Sequence, residues 1–495
     1  MAANESVVSA RAAGFGHSAL WLRSLTMVLA LSAVALLCFV PIATSDFWLQ
    51  AAIGRVIWTS GEIPRTALFP FTEARDFPSH AHEWLASVAL YLLDSRLGHE
   101  KLIFVKGLLG LGLFALVARL AYRLTRGFTA SLVLGLAGML VLNYRFWLCP
   151  DLFALIFMAL MLYFHVGYQL TGRRRELLAC LPVAMLWANC HGSAPLALLL
   201  GASFTAGAAV DALRDAMRRN LAAVMQAARP YAACTFGMAL AMLLNPYGPG
   251  VFRFVWRVYE WMPTLSPSFI GTRGFWAFAG YLGIAVPAVG LAWKRLPAAA
   301  LLLVAQFTIL GLLSQRYIAF FAVVSPYPLA LALRDAVPRL ERSLRLGAAM
   351  LALLGATTGL LVRYGNVYGA FPYFVESDNF SLLLVDYLEN APLKGNVLNS
   401  YALGAELIYR GFPKLRPAID PRIDVYGERY FLRLQAVTHN EAAFRQFVDR
   451  YQVNYALLQR PEFDAGVRHM PGLRADGWHI AFADHKVVLL SRTTP

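Results

Sequence analysis

The sequence SDFW at residues 45–48 and the sequence HAHEW at residues 80–84 form the two ends of a polar loop after the first long apolar run. Between them lie an amphipathic helix predicted from Trp48 to Trp58 and a proline-rich extended stretch from Ile63 to Thr72. Acidic and imidazole side chains are costly to hold beside a membrane, and residues of this kind usually serve a function. We therefore expect this loop to carry the functional site.

The composition of the chain is that of a membrane protein. Of its 495 residues 58% are hydrophobic and only 15% are charged, and long apolar runs recur throughout, which is typical of polytopic helical membrane proteins. The first apolar run has no small-residue cleavage site, so it predicts an anchor rather than a removed signal peptide. The 5 cysteines lie within or beside apolar runs and form no CxxC pair, which favours neither a disulfide framework nor a structural zinc site.

The apolar runs predict an all-α polytopic membrane bundle of about eleven transmembrane helices with a C-terminal extracytoplasmic α/β domain. The expected spans are 21–43, 101–123, 128–147, 151–170, 177–191, 194–213, 230–246, 275–293, 297–313, 316–333 and 345–362. Most of the net charge of +15 falls in the segments that lie on the same side of the membrane as the N-terminus. That asymmetry predicts a cytoplasmic N-terminus, and it indicates a topology signal rather than a nucleic-acid partner.

The expected domains follow from this topology. Residues 1–20 form a cytoplasmic tail, residues 21–363 form the membrane domain with a first outer loop at 44–100, and residues 364–495 form the extracytoplasmic domain. In the last domain, strands are predicted at 396–399, 455–459, 478–483 and 486–491, and helices at 380–390 and 441–451. A further aromatic amphipathic segment is expected on the outer surface at 252–261.

Several motifs resemble the GT-C-type membrane glycosyltransferases, and more closely a bacterial group of GT-C-like proteins. The matching pieces lie at 45–48, 61–64, 82–84, 187–192, 245–248 and 420–427. The resemblance implies transfer of a sugar from a polyprenyl-phosphate donor to a lipid, glycan or protein acceptor on the outer face of the bacterial inner membrane. In this family an acidic residue follows the first span, and the resemblance implies that Asp46 occupies this position here. Proteins of this group tend to carry Arg-Pro where this chain has Cys149-Pro150, which leaves phosphate binding at that corner open.

The expected catalytic residues are Asp46, Glu83, His82 and His191. Asp46 is the candidate base, because desolvation beside the bilayer raises the pKa of a carboxyl group; it could also be a helix cap or an ion-pair partner. Glu83, His82 and His80 could join Asp46 around a divalent cation such as Mg²⁺ or Mn²⁺, or Glu83 could cap the helix that starts at Trp84. His191 could instead be a hydrogen-bonded packing residue.

The expected substrate-binding residues fall into two groups. Arg145 and Arg316 lie at outer span ends, where a guanidinium can hold phosphate or extend to the interface, while Trp48 and His80 lie beside the candidate acids. The second group lies in the C-terminal domain and either lines the acceptor entrance or forms an internal ion-pair network: Asp420, Arg422 and Tyr426. Lys106 is expected to extend outward from its span.

Two other functions are compatible with the sequence. A transporter or flippase of lipid-linked or polar substrates is one, although charged residues deep within the spans are scarce and carriers usually need them near the midplane. A non-catalytic scaffold that keeps the GT-C fold is the other. A lipid-sized groove leading to Asp46 favours the transferase, and a cavity open at the midplane favours transport.

Overall fold

The computed structural model describes residues 21, 23–39, 44–214, 221–253, 266–342, 355, 379–466 and 477–492. The predicted cytoplasmic tail at 1–20, almost all of the predicted span at 345–362 and most of the predicted amphipathic segment at 252–261 lie outside these residues. The chain begins with three helices: α1 (Arg23–Cys38), α2 (Ser45–Ser60) and α3 (Trp84–Leu97).

The remaining helices of the membrane domain follow in order. They are α4 (His99–Thr125), α5 (Phe128–Leu142), α6 (Pro150–Thr171), α7 (Arg174–Cys190), α8 (Leu196–Arg214), α9 (Leu221–Met242), α10 (Pro267–Ile270), α11 (Arg273–Ala292), α12 (Ala298–Leu313), α13 (Gln315–Val324), α14 (Pro326–Leu333) and α15 (Val337–Arg342).

Six stretches of the described chain are long and apolar enough to cross a membrane, and each coincides with a predicted span. They are His99–Thr125, Phe128–Arg145, Pro150–Thr171, Leu196–Arg214, Arg273–Arg295 and Gln315–Leu333. The protein is therefore a multi-pass membrane protein. The prediction of about eleven spans is not confirmed: α1 and α12 are shorter apolar helices, and α7 has only 17 residues, fewer than the about 20 that a straight span requires.

The first loop is itself a packed helical unit. Helix α3 has 14 residues, too few to span, and it packs along α2. Gly54 permits this contact, since a Cβ atom at that position would lie 2.0 Å from the carbonyl oxygen of Ser87. Helix α2 then ends at Gly61, whose positive φ of 73° closes the last turn. The pairing fixes residue 46, at the start of α2, relative to residue 83, at the start of α3.

The C-terminal domain contains a mixed five-stranded sheet with the strand order β2-β1-β3-β5-β4. Its elements are α16 (Leu382–Asn390), β1 (Gly395–Asn399), α17 (Gly404–Gly411), β2 (Leu415–Pro417), α18 (Ile423–His439), α19 (Glu441–Tyr451), β3 (Val453–Gln459), α20 (Arg460–Gly466), β4 (Trp478–Ala483) and β5 (Val487–Arg492). Strands β1, β2 and β3 are parallel, and β3, β5 and β4 are antiparallel.

Both faces of this sheet are covered by helices. On β3, Ala456 and Leu458 belong to the core shared with α18 and α19, whereas Leu457 belongs to the core shared with α16 and α17. This alternation is the two-residue period of a strand buried on both sides. The domain is therefore a three-layer α/β/α unit, in agreement with the predicted α/β class.

The C-terminal domain docks onto the first loop. Helix α17 packs against α2, and Arg55 donates hydrogen bonds from Nη2 to the carbonyl oxygens of Ile408 (3.3 Å) and Phe412 (3.2 Å). Tyr409 donates from its hydroxyl to the buried carboxylate of Asp94. These contacts hold the loop between the membrane helices and the sheet domain.

Candidate active site

Asp46 lies in the first turn of α2. Its backbone N–H donates to the Thr44 hydroxyl (3.2 Å), and the positive end of the helix dipole favours an acid here. Among the described residues, no hydrogen bond or ion pair engages the Asp46 carboxylate. Burial raises its pKa and the charge of Asp151 raises it further, whereas Arg145, Arg316 and His191 act in the opposite direction. The group is an accessible, partly buried carboxylate with a raised pKa.

Glu83 occupies the N-cap position of α3, but its side chain does not cap the helix. Instead, Gln50 on α2 donates from Nε2 to Oε2 of Glu83 (2.5 Å), and the Ser87 hydroxyl donates to the side-chain Oε1 of Gln50 (2.5 Å). Burial raises the pKa of Glu83 to about 7, with further increases from Asp151 and Asp46 and opposing effects from His191 and Arg316. Glu83 therefore occupies the predicted N-cap position without a side-chain capping hydrogen bond, and it can exchange a proton near neutral pH.

His191 joins two carboxylates. Its Nε2 lies 2.8 Å from Oδ1 of Asp151 and 3.3 Å from Oε1 of Glu83. Its Nδ1 accepts from the backbone N–H of Ser193 (3.1 Å) and contacts the Ser193 hydroxyl (2.6 Å). Because a backbone N–H can only donate, Nδ1 is the acceptor and Nε2 carries the proton. The imidazole therefore presents a donor to both acids.

Asp151 is a member of this cluster that the sequence analysis missed. It follows Pro150 at the start of α6, and its Oδ2 accepts from Nη2 of Arg145 (2.6 Å) while its other oxygen meets His191. The available signal was an acidic residue directly after the proline that opens a span. Arg145 is buried and paired, so its charge mainly balances Asp151.

Arg316 differs from Arg145. It is the second residue of α13, and its charge acts on Asp46, Glu83 and Asp151. No hydrogen bond or ion pair engages its guanidinium among the described residues, and its Nε is buried without a partner. The cluster thus contains one carboxylate and one guanidinium that are close enough to interact electrostatically but are not engaged with each other.

Three further residues were predicted beside the site: Trp48, His80 and His82. Trp48 is only 3% exposed and is enclosed by the rings of Phe47, His99 and Tyr409, with Arg410 above it. It therefore offers no surface to a substrate, and its assignment as a substrate-binding residue is corrected. His80 packs its ring against Tyr247, and His82 contacts the His80 carbonyl (3.0 Å).

The predicted cation site is also corrected. Within the residues that the structure describes, ligand atoms of Asp46, His80, His82 and Glu83 do not converge in threes within 4.8 Å. Glu83 is turned toward Gln50 and His191, and His82 lies 3.7 Å from it. In this arrangement the four residues do not fit one divalent cation. Lys106 is also corrected, since it is fully buried within α4.

The polar cluster of the C-terminal domain is an internal network. Arg422 donates from Nε (2.8 Å) and Nη2 (2.6 Å) to the two oxygens of Asp420, and the Tyr426 hydroxyl donates to the same carboxylate (2.5 Å). Arg422 also donates to the carbonyl oxygen of Ala67 (2.7 Å) and the hydroxyl of Ser79 (3.3 Å) in the first loop. The structure therefore favours the ion-pair interpretation over an acceptor entrance.

Solved structures with a related fold cover nearly the whole chain. The archaeal oligosaccharyltransferase AglB from Archaeoglobus fulgidus, in complex with an inhibitory peptide and a dolichol-phosphate, matches with a TM-score of 0.56 at 13% identity, covering 96% of this chain and 74% of that chain. ArnT from Cupriavidus metallidurans in the apo state matches with a TM-score of 0.57 at 14% identity, covering 97% and 98%.

A second ArnT structure, bound to undecaprenyl phosphate, matches with a TM-score of 0.52 at 16% identity, covering 95% of this chain and 97% of that chain. No protein-family model matches the chain, and no curated protein matches its sequence. At these identities the likeness concerns the fold.

Proposed function

The chain has the fold of the GT-C membrane glycosyltransferases, and on that premise we propose that it moves a sugar from a polyprenyl-phosphate donor to an acceptor on the outer face of the inner membrane. The observation that carries the proposal is the unengaged carboxylate of Asp46 beside the unengaged guanidinium of Arg316. Neighbours of the same fold are seen with dolichol-phosphate and with undecaprenyl phosphate, which supports a lipid phosphate as the donor carrier.

Asp46 and Arg316 have separate roles in the proposed step. An acceptor hydroxyl attacks the anomeric carbon of the sugar, the bond from that carbon to the phosphate oxygen breaks, and the polyprenyl phosphate leaves with the electron pair. Asp46 takes the proton of the acceptor, a role for which a raised pKa brings a carboxylate closer to working pH. Arg316 offsets the charge that develops on the leaving phosphate, and its free donors suit a phosphate.

The other members of the cluster set the environment of Asp46. Arg145 balances Asp151, and His191 connects Asp151 to Glu83 through its Nε2 proton. Glu83 stays largely protonated, and therefore uncharged, below a pH of about 7. The cluster then carries fewer negative charges than it has carboxyl groups. This arrangement lets Asp46 carry the negative charge needed of a base without excess repulsion from its neighbours.

The test compares variants in lipid nanodiscs with a panel of polyprenyl-phosphate sugars. Wild type should release polyprenyl phosphate from at least one donor when acceptors from the envelope are supplied. Asp46→Asn should bind the same donor without releasing it, while Asp76→Asn, which changes an exposed acid in the same loop, should match wild type. Donor binding without release by wild type under all acceptors would favour a scaffold, and absence of binding would overturn the proposal.

A further inference from the structure

A second cluster of reactive side chains lies within the helical bundle, on helices that also hold part of the candidate active site. It consists of His165 on α6, Cys180 on α7 and Cys234 on α9, and one ligand atom from each lies within 4.8 Å of the other two. All three residues are buried. We infer that these three side chains form a binding site for a thiophilic metal ion, with Zn²⁺ as the occupant.

The hydrogen bonds of His165 indicate a metal ligand. Its Nδ1 lies 2.8 Å from the carbonyl oxygen of Met161, and because a carbonyl only accepts, Nδ1 carries the proton. Nε2 then holds a lone pair, is buried, and has no hydrogen-bond partner among the described residues. A histidine that donates one N–H to a backbone carbonyl while its other nitrogen is available is the usual arrangement of a metal-bound imidazole.

The cysteines supply the remaining ligands. Both are free thiols, and the Cys180 sulfur lies 3.6 Å from the proton-bearing Nδ1 of His165, on the same ring as the available Nε2. The two thiols interact with each other, and Cys234 also interacts with His165. Each thiol further has a long contact to a backbone carbonyl, Cys180 to Glu176 (3.7 Å) and Cys234 to Leu177 (3.4 Å). These weak bonds cost little to give up. Thiolate and imidazole are ligands that zinc prefers, whereas Mg²⁺ and Ca²⁺ prefer oxygen.

Charge balance is compatible with zinc in this apolar setting. Binding of Zn²⁺ to the two thiols releases two protons, and the resulting unit of one dication, two thiolates and one neutral imidazole has no net charge. A neutral unit avoids most of the desolvation cost that an isolated ion would meet here. The rings of Phe204 and Tyr231 lie 5.0 Å and 6.3 Å from the imidazole and exclude water from that side.

The site also has a structural consequence. Helix α6 carries Asp151 near its beginning, and α7 ends next to His191. The cluster lies roughly 20 Å along these helices from those residues at 1.5 Å per residue. A metal at the cluster would therefore fix α6 against α7 and limit movement of His191 relative to Asp151.

The experiment measures zinc in purified full-length protein in nanodiscs, reduced beforehand, loaded with Zn²⁺ and passed over a chelating resin. Wild type should retain ~1 zinc per chain, because two thiolates and an imidazole are ligands that bind zinc tightly. The Cys180→Ser/Cys234→Ser double variant should retain none. Cys38→Ser, which alters a buried cysteine on another helix, should retain the wild-type amount, and His165→Gln should bind zinc more weakly.

Two further readouts separate a metal site from misfolding. Co²⁺ should give thiolate-to-metal absorption in the near ultraviolet with wild type and with Cys38→Ser but not with the double variant, while all three elute as one species. Removal of zinc should lower the melting temperature of wild type and leave that of the double variant unchanged. Equal zinc content in wild type and the folded double variant, or a Cys180–Cys234 disulfide whose reduction yields no zinc binding, would overturn the inference.

Discussion

Two aspartate–arginine ion pairs of the protein have the same N···O distance but different surroundings. Arg145 and Asp151 lie 2.6 Å apart at the end of the bundle, and Arg422 and Asp420 lie 2.6 Å apart in the C-terminal domain. In the second pair, both aspartate oxygens accept from Arg422, and Tyr426 and the first loop complete the network. Every strong donor and acceptor there has a partner inside the protein.

The first pair belongs to a cluster in which not every charged group has a partner among the described residues. Asp151 is satisfied by Arg145 and His191. Beside it, within the part of the chain that the structure describes, the buried Nε of Arg316 has no partner, and no hydrogen bond or ion pair engages the half-buried carboxylate of Asp46. A buried polar group without a partner is costly. The completed network thus stabilises the fold, whereas the unmatched opposite charges are, under the proposed function, held for a ligand.

The largest expected effect concerns Asp46. Asp46→Asn should lower the transfer rate by about 10²–10⁴-fold, the usual contribution of a general base. Because the carboxylate has no partner in the described structure, the melting temperature should stay close to that of wild type, with a change in unfolding free energy below ~1 kcal/mol. Initial rates in nanodiscs and thermal unfolding of the same sample check both parts. A fully active variant would remove Asp46 as the base.

A change in the Asp420–Arg422 network should have the opposite effect, lowering stability rather than activity. Arg422→Gln leaves the buried Asp420 uncompensated, and removing one partner of a buried pair costs about 3–5 kcal/mol. The melting temperature should fall clearly, while transfer per folded molecule should stay at the wild-type level. The Asp420→Asn/Arg422→Gln double variant should regain part of the stability. Loss of turnover in a folded Arg422→Gln protein would assign this network to the reaction.

Glu83 should make stability depend on pH. Its pKa is about 7 in the folded protein, against an ordinary value of 4.5 that applies to the unfolded chain, so between these values the folded chain binds more protons than the unfolded chain. Stability should therefore fall as pH rises from 4.5 to 7, by on the order of 3 kcal/mol. Glu83→Gln should remove this part of the slope and Asp76→Asn should not; thermal unfolding from pH 4.5 to 8 measures the difference. An identical slope in both variants would contradict the assignment.

Arg316 should show the smallest effect of the four. Arg316→Gln should weaken binding of a polyprenyl phosphate by about 10–100-fold, since one hydrogen bond to a charged group contributes roughly 1.5–3 kcal/mol. The same change should not destabilise the protein, because no partner of Arg316 is lost within the described residues. Equilibrium binding of undecaprenyl phosphate to nanodisc-embedded variants provides the measurement. Wild-type affinity in Arg316→Gln would assign the phosphate to another cation.

Much of the fold follows from local sequence patterns. Six predicted spans coincide with helices, and α3 begins at Trp84, where a helix start was predicted. The strands β1, β3, β4 and β5 lie within two residues of their predicted positions. Strand β2 was missed because it has three residues and ends in Pro417, which is too short for an alternation pattern to show.

The candidate site was less predictable, because its partners come from distant segments. The sequence indicated Asp46, Glu83 and His191 individually, but only the packing of α6 against α7 shows that Asp151 joins them. Trp48 looked available because it lies two residues after Asp46, yet helical residues two positions apart do not face the same way. Cys180 and Cys234 are 54 residues apart with no motif spacing, so their convergence with His165 had no sequence signal.

The most direct measurement is donor turnover by Asp46→Asn and Arg422→Gln, assayed side by side in nanodiscs and normalised to folded protein. We expect Asp46→Asn to lose turnover at a native melting temperature, and Arg422→Gln to keep turnover at a lowered one. Wild-type turnover in Asp46→Asn, whatever the behaviour of Arg422→Gln, would contradict the claim that the unengaged carboxylate is the reactive group.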